Sequence, residues 1–262
     1  TDGVTKAFKS AAGVTLKVGT VAAAGAVGAA AVLRPQVSFD RQMSLNAQTM
    51  YGTKDANGRM YSRAEADAQK ARLTAQVDKS VAGGVGTRDQ GREAQKELLA
   101  SGQFNGDEGL KRIDALLPNI MKAAASSGTD ASEMAQAAVG AANKGLNDAQ
   151  VNAFLGKMML SDNAGAFGSQ DMAKWIPKWL AGAGDAMQGK HAVDSLHVHA
   201  QTVRKPAGTS DEAGNNLDNV LAFAACNKAD GDLKKKYGID RQQEMSKNMS
   251  NGDDYLTAYA RT

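Results

Sequence analysis

"DMAKWIPKWLAGAG", residues 171–184, carries both tryptophans of the chain, Trp175 and Trp179, on either side of Pro177. Met172, Trp175, Ile176, Trp179 and Leu180 fall at i, i+3, i+4, i+7 and i+8, the apolar stripe of an α-helix lying on other helices. Lys174 and Lys178 fall off that stripe, which predicts them exposed on the opposite side. Indoles on the apolar face of an amphipathic helix are accounted for by core packing, without a ligand or a membrane. Pro177 removes one intrahelical hydrogen bond and should bend the helix around whatever the indoles touch.

The same spacing recurs in both directions along the chain. Val151, Phe154, Leu155, Met158 and Met159 repeat it, as do Leu217, Val220, Leu221, Ala224 and Ala225. A further helix is read from Leu110, Ile113, Leu116, Leu117, Ile120 and Met121, with Pro118 inside it. Helix starts are marked by capping residues: Ser62 with Glu65 and Thr209 with Glu212 as capping boxes, Thr87 with Gln90 and Asp130 with Glu133 as variants. Gly102 and Gly238 stand where segments close. Hydrophobic residues make up 42% of the chain, but much of that is alanine. Burying so few large side chains favours close helix–helix contact, and the scarcity of β-branched and aromatic residues disfavours strands. The expected fold is all-α, a series of antiparallel amphipathic helices.

The formal charge of +3 arises from 31 basic and 28 acidic residues spread along the chain, not from a basic cluster of the kind that binds nucleic acid. The single cysteine, Cys226, has no internal partner and suits a reducing compartment, with Leu221, Phe223 and Ala225 around it predicting a small buried apolar group. "GTVAAAGAVGAAAVL", residues 19–33, is the one uncharged run. It is shorter and less apolar than the roughly 20 residues a membrane span needs, and it reads as a close-packing helix or a leader.

Candidate chemistry is sparse. "GDAMQGKH", residues 184–191, approaches a phosphate-binding loop, but His191 stands where Ser or Thr would hold magnesium, and a helix rather than a strand precedes it. His197 and His199 invite a metal site with Asp194 or His191. Residues two apart on a helix point in different directions, however, and no cysteine pair completes a tetrahedral set. They are expected to be solvated or capping histidines. Asp253 with Asp254, and Asp211 with Glu212, fit helix starts, where a carboxylate meets the positive end of the helix dipole. No nucleophile, base and oxyanion donor can be arranged from the sequence, so neither catalysis nor a cofactor nor a metal is expected.

Taken in order, several stretches resemble the N-terminal half of bacteriophage tail tape measure proteins. In "VLRPQVSFDRQMSLNAQTMY", residues 32–51, Pro35, Phe39, Asp40 and Met43 fill the places of a family pattern that leads from an Ala/Gly-rich stretch into a helix. "GTRDQGREAQKELLASGQ", "LLPNIMKAAASSGTDASEMAQAA", "NAFLGKMMLSDNAGAFGSQDMAKWIPKWLAGAG" and "AGTSDEAGNNLDNVLA" continue the resemblance from Val32 to Asp240. It implies an Ala/Gly-rich segment over residues 1–34, a helical core domain over 35–240, and over 241–262 the truncated start of a further helical region. Family members run to many hundreds of residues, so the resemblance implies a fragment or an unusually short member.

The resemblance further implies a structural protein of a phage or prophage tail, not an enzyme. Such a protein sits in the lumen of the tail tube, serves as the scaffold that sets tail length, and leaves during genome delivery. Its partners would be tube subunits, tail-tip or baseplate proteins, assembly chaperones and further copies of itself, with no sequence-specific nucleic acid. It would reside in the virion tail, and in the host cytoplasm during assembly. Residues 19–33 would then pack between copies or enter a membrane during ejection. The rival reading is a membrane-active or secreted helical effector, since an Ala/Gly-rich leader before amphipathic helices suits that class too. An all-α enzyme is a third reading, and the lack of a convergent polar cluster argues against it.

Overall fold

The structure, a computed structural model, describes residues 25–262 apart from 53, 56, 185, 186 and 226, with side chains described from Ser38 onward except at 227–229. The expectation for Cys226 and that for the side chains of residues 19–33 therefore lie outside the described residues. Among the described residues the fold is all-α. Twelve helices occur: α1 (Gly25–Tyr51), α2 (Arg63–Val81), α3 (Arg88–Ala100), α4 (Gly106–Ser127), α5 (Ala131–Asn143), α6 (Asp148–Ala164), α7 (Ser169–Gly182), α8 (Gly189–Arg204), α9 (Ser210–Ala224), α10 (Asn227–Tyr237), α11 (Arg241–Ser250) and α12 (Tyr255–Ala260). The extended pairing among them is a single isolated bridge between Lys54 and Met60.

The chain divides into two compact units, Thr1–Arg41 and Gln42–Thr262. The first is described over residues 25–41, which are helical. The second contains everything that follows, including residues 241–262: α11 packs on α10, and α12 packs on both α11 and α9.

From α2 to α9 one packing rule holds. Each helix contacts its successor and also the helix two places on, so that α2, α4, α6 and α8 form one row and α3, α5, α7 and α9 a second. This is the arrangement of an α-solenoid, in which each helical hairpin buries its apolar face against the next. Helix starts within a row recur about every 42 residues, as in Arg63, Gly106, Asp148 and Gly189, which is the period of two-helix solenoid repeats.

Ion pairs 35–37 residues apart in sequence bridge successive helices of a row. Arg72–Asp107 (3.2 Å), Lys79–Asp114 (3.0 Å), Arg112–Asp148 (2.9 Å), Lys157–Asp194 (2.5 Å) and Lys174–Asp211 (2.6 Å) each join a helix to the next one in its row. Most of these side chains are well exposed, so water and salt screen the pairs and each adds little to stability. Their effect is on register.

Local sequence explains where the helices begin. Ser62 with Glu65, Thr87 with Gln90, and Asn147 with Gln150 each form a reciprocal capping box. Two expectations need correction. Thr209 accepts from Glu212 N (3.1 Å), but the Glu212 carboxylate reaches Gly208 N (2.8 Å) and not Thr209. Asp130 holds the N-cap position of α5 without a side-chain cap bond. It is exposed, and its carboxylate acts on the helix through charge alone. At the other end of α4, Gly128 adopts φ 67°, the left-handed conformation that closes a helix at low cost for glycine. Pro118 and Pro177 lie inside helices that run on through them.

The N-terminal part of the second unit is knitted together by a buried amide relay. Asn46 of α1 donates to Gln95 Oε1 (3.3 Å), and Gln95 Nε2 donates to Gln76 Oε1 (3.2 Å) and to the Leu73 carbonyl (3.1 Å). Gln76 Nε2 in turn donates to the Leu110 carbonyl (2.6 Å), so the relay touches four helices. Gln95 is fully buried. Gln95→Leu keeps the bulk but strands the Gln76 oxygen without its donor, and is expected to cost about 1–3 kcal/mol. Urea denaturation with an unchanged midpoint would show that the relay carries no such weight.

Candidate functional site

Met172, Trp175, Ile176, Trp179 and Leu180 on α7, Phe154 and Leu155 on α6, and Leu217 and Leu221 on α9 are buried. Trp179 Nε1 donates to the Gly214 carbonyl (3.0 Å), and Trp175 Nε1 to Asp211 (3.2 Å), so α7 seats its two indoles on the first turns of α9. Gly214 allows this approach, since a Cβ there would lie 2.2 Å from Trp175 Cε2. Lys174 and Lys178 are exposed but not on the far side of the helix. Their ammonium groups lie 5.9 and 4.5 Å from the centre of the Trp175 ring, because long side chains fold over apolar surface while keeping their charge in water.

The stripe on α9 is narrower than its spacing predicts, with Val220 and Ala225 exposed. Beyond α9 pack the six-residue α12 and Arg241 of α11, which reaches the Phe223 carbonyl, and they leave Val220 exposed.

A groove of about 800 Å³ runs along α6 and α8, closed at one side by the start of α12. All three histidines of the chain line it, together with Lys157, Asp194, Lys205 and Asp254. Lys157 and Lys190 both reach Asp194 Oδ2 at 2.5 Å. Burial works to raise the Asp194 pKa, but the two lysines prevail and hold it below the ordinary carboxylate range.

The histidines are not merely solvated or capping. His199 Nε2 lies 2.7 Å from Asp254 Oδ1, tying α8 to the N-cap of α12. Burial also opposes ionisation of Asp254, yet bonds from the Thr257 hydroxyl and His199 bring it down to about 2. His197 packs edge-on against Phe154 with ring centres 5.0 Å apart, its Nδ1 3.3 Å from the Asp194 carbonyl and its Nε2 buried without a hydrogen-bond partner. His191 is exposed.

The spacing rule that places His197 and His199 on different sides of α8 holds: one faces α6, the other α12. Their partners Phe154 and Asp254 lie 43 and 55 residues away in sequence, which is why spacing within one helix could not find them. Among the described residues no group of three His, Cys, Asp or Glu side chains is placed to hold a metal ion. Of the loop-like residues 184–191, positions 185 and 186 lie outside the described residues. Lys190, which would have had to reach a phosphate, instead pairs with Asp194. Asp211 and Glu212 stand in the first turn of α9, and Asp253 pairs with Arg261 at 2.7 Å. No helix among the described residues is long and apolar enough to cross a membrane.

No family model and no solved structure matches the chain. Over 106 residues, 40% of its length, the chain is 32% identical to the probable tape measure protein of Burkholderia phage BcepMu, and the matched stretch makes up 12% of that protein. The chain is thus similar, over two-fifths of its length, to a much longer phage protein.

Proposed function

We propose that this chain is a helical segment of a phage or prophage tail protein of the tape measure type, a scaffold in the tail tube that sets tail length and is released during genome delivery. The similarity to the BcepMu protein carries this reading. The helical array is compatible with it, since a stack of hairpins grows in length by adding units, each contacting its neighbours. The partners proposed are tube subunits, tail-tip or baseplate proteins, assembly chaperones and further copies of the chain. Solvated faces rich in paired charges suit contacts that form during assembly and dissolve on release.

The test is made in the phage that encodes the chain. Removal of codons 42–262 in frame is expected to leave no tails of defined length under the electron microscope. Peptides of this chain are expected in purified wild-type tails and depleted from tails that have ejected their DNA. Normal tails from the deletion, or purified tails lacking the peptides, would overturn the proposal.

A further inference from the structure

Helix α8 is held from two sides by histidines of opposite character. On the α6 side, His197 is packed against Phe154, with Nδ1 toward the Asp194 carbonyl and Nε2 enclosed without an acceptor. That geometry selects the neutral imidazole protonated at Nδ1, because a proton added at Nε2 would be a buried donor with nothing to receive it. The charges acting on His197 are the Lys157 ammonium from α6, which disfavours a second cation, and Asp194 one turn earlier on α8, whose carboxylate Lys157 and Lys190 share. On the α12 side, His199 faces Asp254, and there protonation converts a hydrogen bond into an ion pair. His191, exposed at the N-terminal end of the same groove, has solvent around it.

We propose that α8 is an acid-sensitive joint of the helical array: protonation of His197 loosens α8 from α6, while the His199–Asp254 contact keeps α8 fastened to α12. The sign follows from the burial of His197, which lowers its pKa below the ordinary 6.5. The folded state then binds that proton less readily than the unfolded chain. The stability contributed by the α8–α6 contact is full above about pH 6.5 and drains away as the pH falls toward the folded value. Mild acid therefore opens the array at one place instead of weakening it evenly.

The experiment uses the 262-residue chain labelled with ¹⁵N at its histidines. Ring-nitrogen spectra across pH 8 to 4.5 are expected to show His197 as the Nδ1–H tautomer, titrating below the ordinary 6.5. Hydrogen exchange at pH 5.0 is expected to rise at least about threefold in α8 residues facing α6, relative to pH 7.5 after correction for intrinsic rates, with α3–α5 unchanged. His197→Asn, which retains a donor near the Nδ1 position but does not titrate, is expected to abolish that increase. His197 titrating at or above the ordinary 6.5, or an exchange increase that persists in His197→Asn or spreads evenly over all helices, would overturn the joint. The tautomer and titration are read on the unmutated chain, so they decide the matter even where the variant folds poorly.

Discussion

Replacing Trp179 with alanine is expected to cost about 3–5 kcal/mol, the usual range for emptying a large aromatic site in a core. Trp179 is fully buried, with Phe167 at 5.5 Å and Trp175 at 6.3 Å between ring centres. Its Nε1 donates a second hydrogen bond to the Gly214 carbonyl inside the α7–α9 contact. Truncation therefore removes apolar contact from both rings and the hydrogen bond that joins α7 to α9. Against a total stability of roughly 5–15 kcal/mol, that should bring the midpoint of urea unfolding down by about a fifth or more, or leave the protein insoluble. Trp179→Phe keeps most of the area but not the donor, and should cost about 0.5–1.5 kcal/mol for the lost hydrogen bond. Lys178→Ala removes only an exposed cation over the Trp175 ring and should change stability by less than about 1 kcal/mol. A soluble Trp179→Ala chain with an unshifted midpoint would show that α7 does not anchor α9.

The helix class and most of the buried stripes were legible in the sequence because they are local. Apolar spacing within α6 and α7 and the caps at Ser62 and Thr87 depend on residues within a turn or two of each other. The solenoid order was not legible from such short windows, although a trace of it is written in the chain. Lys or Arg followed by Asp 35–37 residues later occurs at Arg72–Asp107, Lys79–Asp114, Arg112–Asp148, Lys157–Asp194 and Lys174–Asp211. Mixed charges are too common for that pattern to stand out until the helix rows give it meaning. The groove was missed for a related reason. His197 and His199 were visible as a pair, but their character is set by Phe154 and Asp254 on other helices. Val220 shows the converse case, since its spacing is that of a core residue but the array supplies too little to cover it.

Gly109→Ala is expected to destabilise the chain strongly, although helix propensity alone favours alanine by about 1 kcal/mol. Gly109 is a buried residue in the first turn of α4. A Cβ built on it would lie 2.1 Å from the carbonyl carbon of Phe104 and 2.3 Å from its oxygen. The obstacle is backbone, so no side-chain rotation relieves it, and the loop before α4 must move. That loop seats Phe104, which is fully buried, with the Arg112 guanidinium 4.4 Å from the centre of its ring. Arg112 in turn holds Asp148 at the start of α6 at 2.9 Å, so displacement at Gly109 reaches the next helix of the row. Overpacking of a core typically costs about 1–3 kcal/mol, and a clash with main chain belongs at the upper end or beyond, enough to outweigh the propensity gain. Gly156 supplies the matched comparison. It lies in the middle of α6 with nothing within 4 Å of a built Cβ, so Gly156→Ala should raise stability by up to about 1 kcal/mol. The two glycine-to-alanine changes should therefore move the thermal midpoint in opposite directions. A rise in both would mean that α4 does not approach the Phe104 backbone this closely.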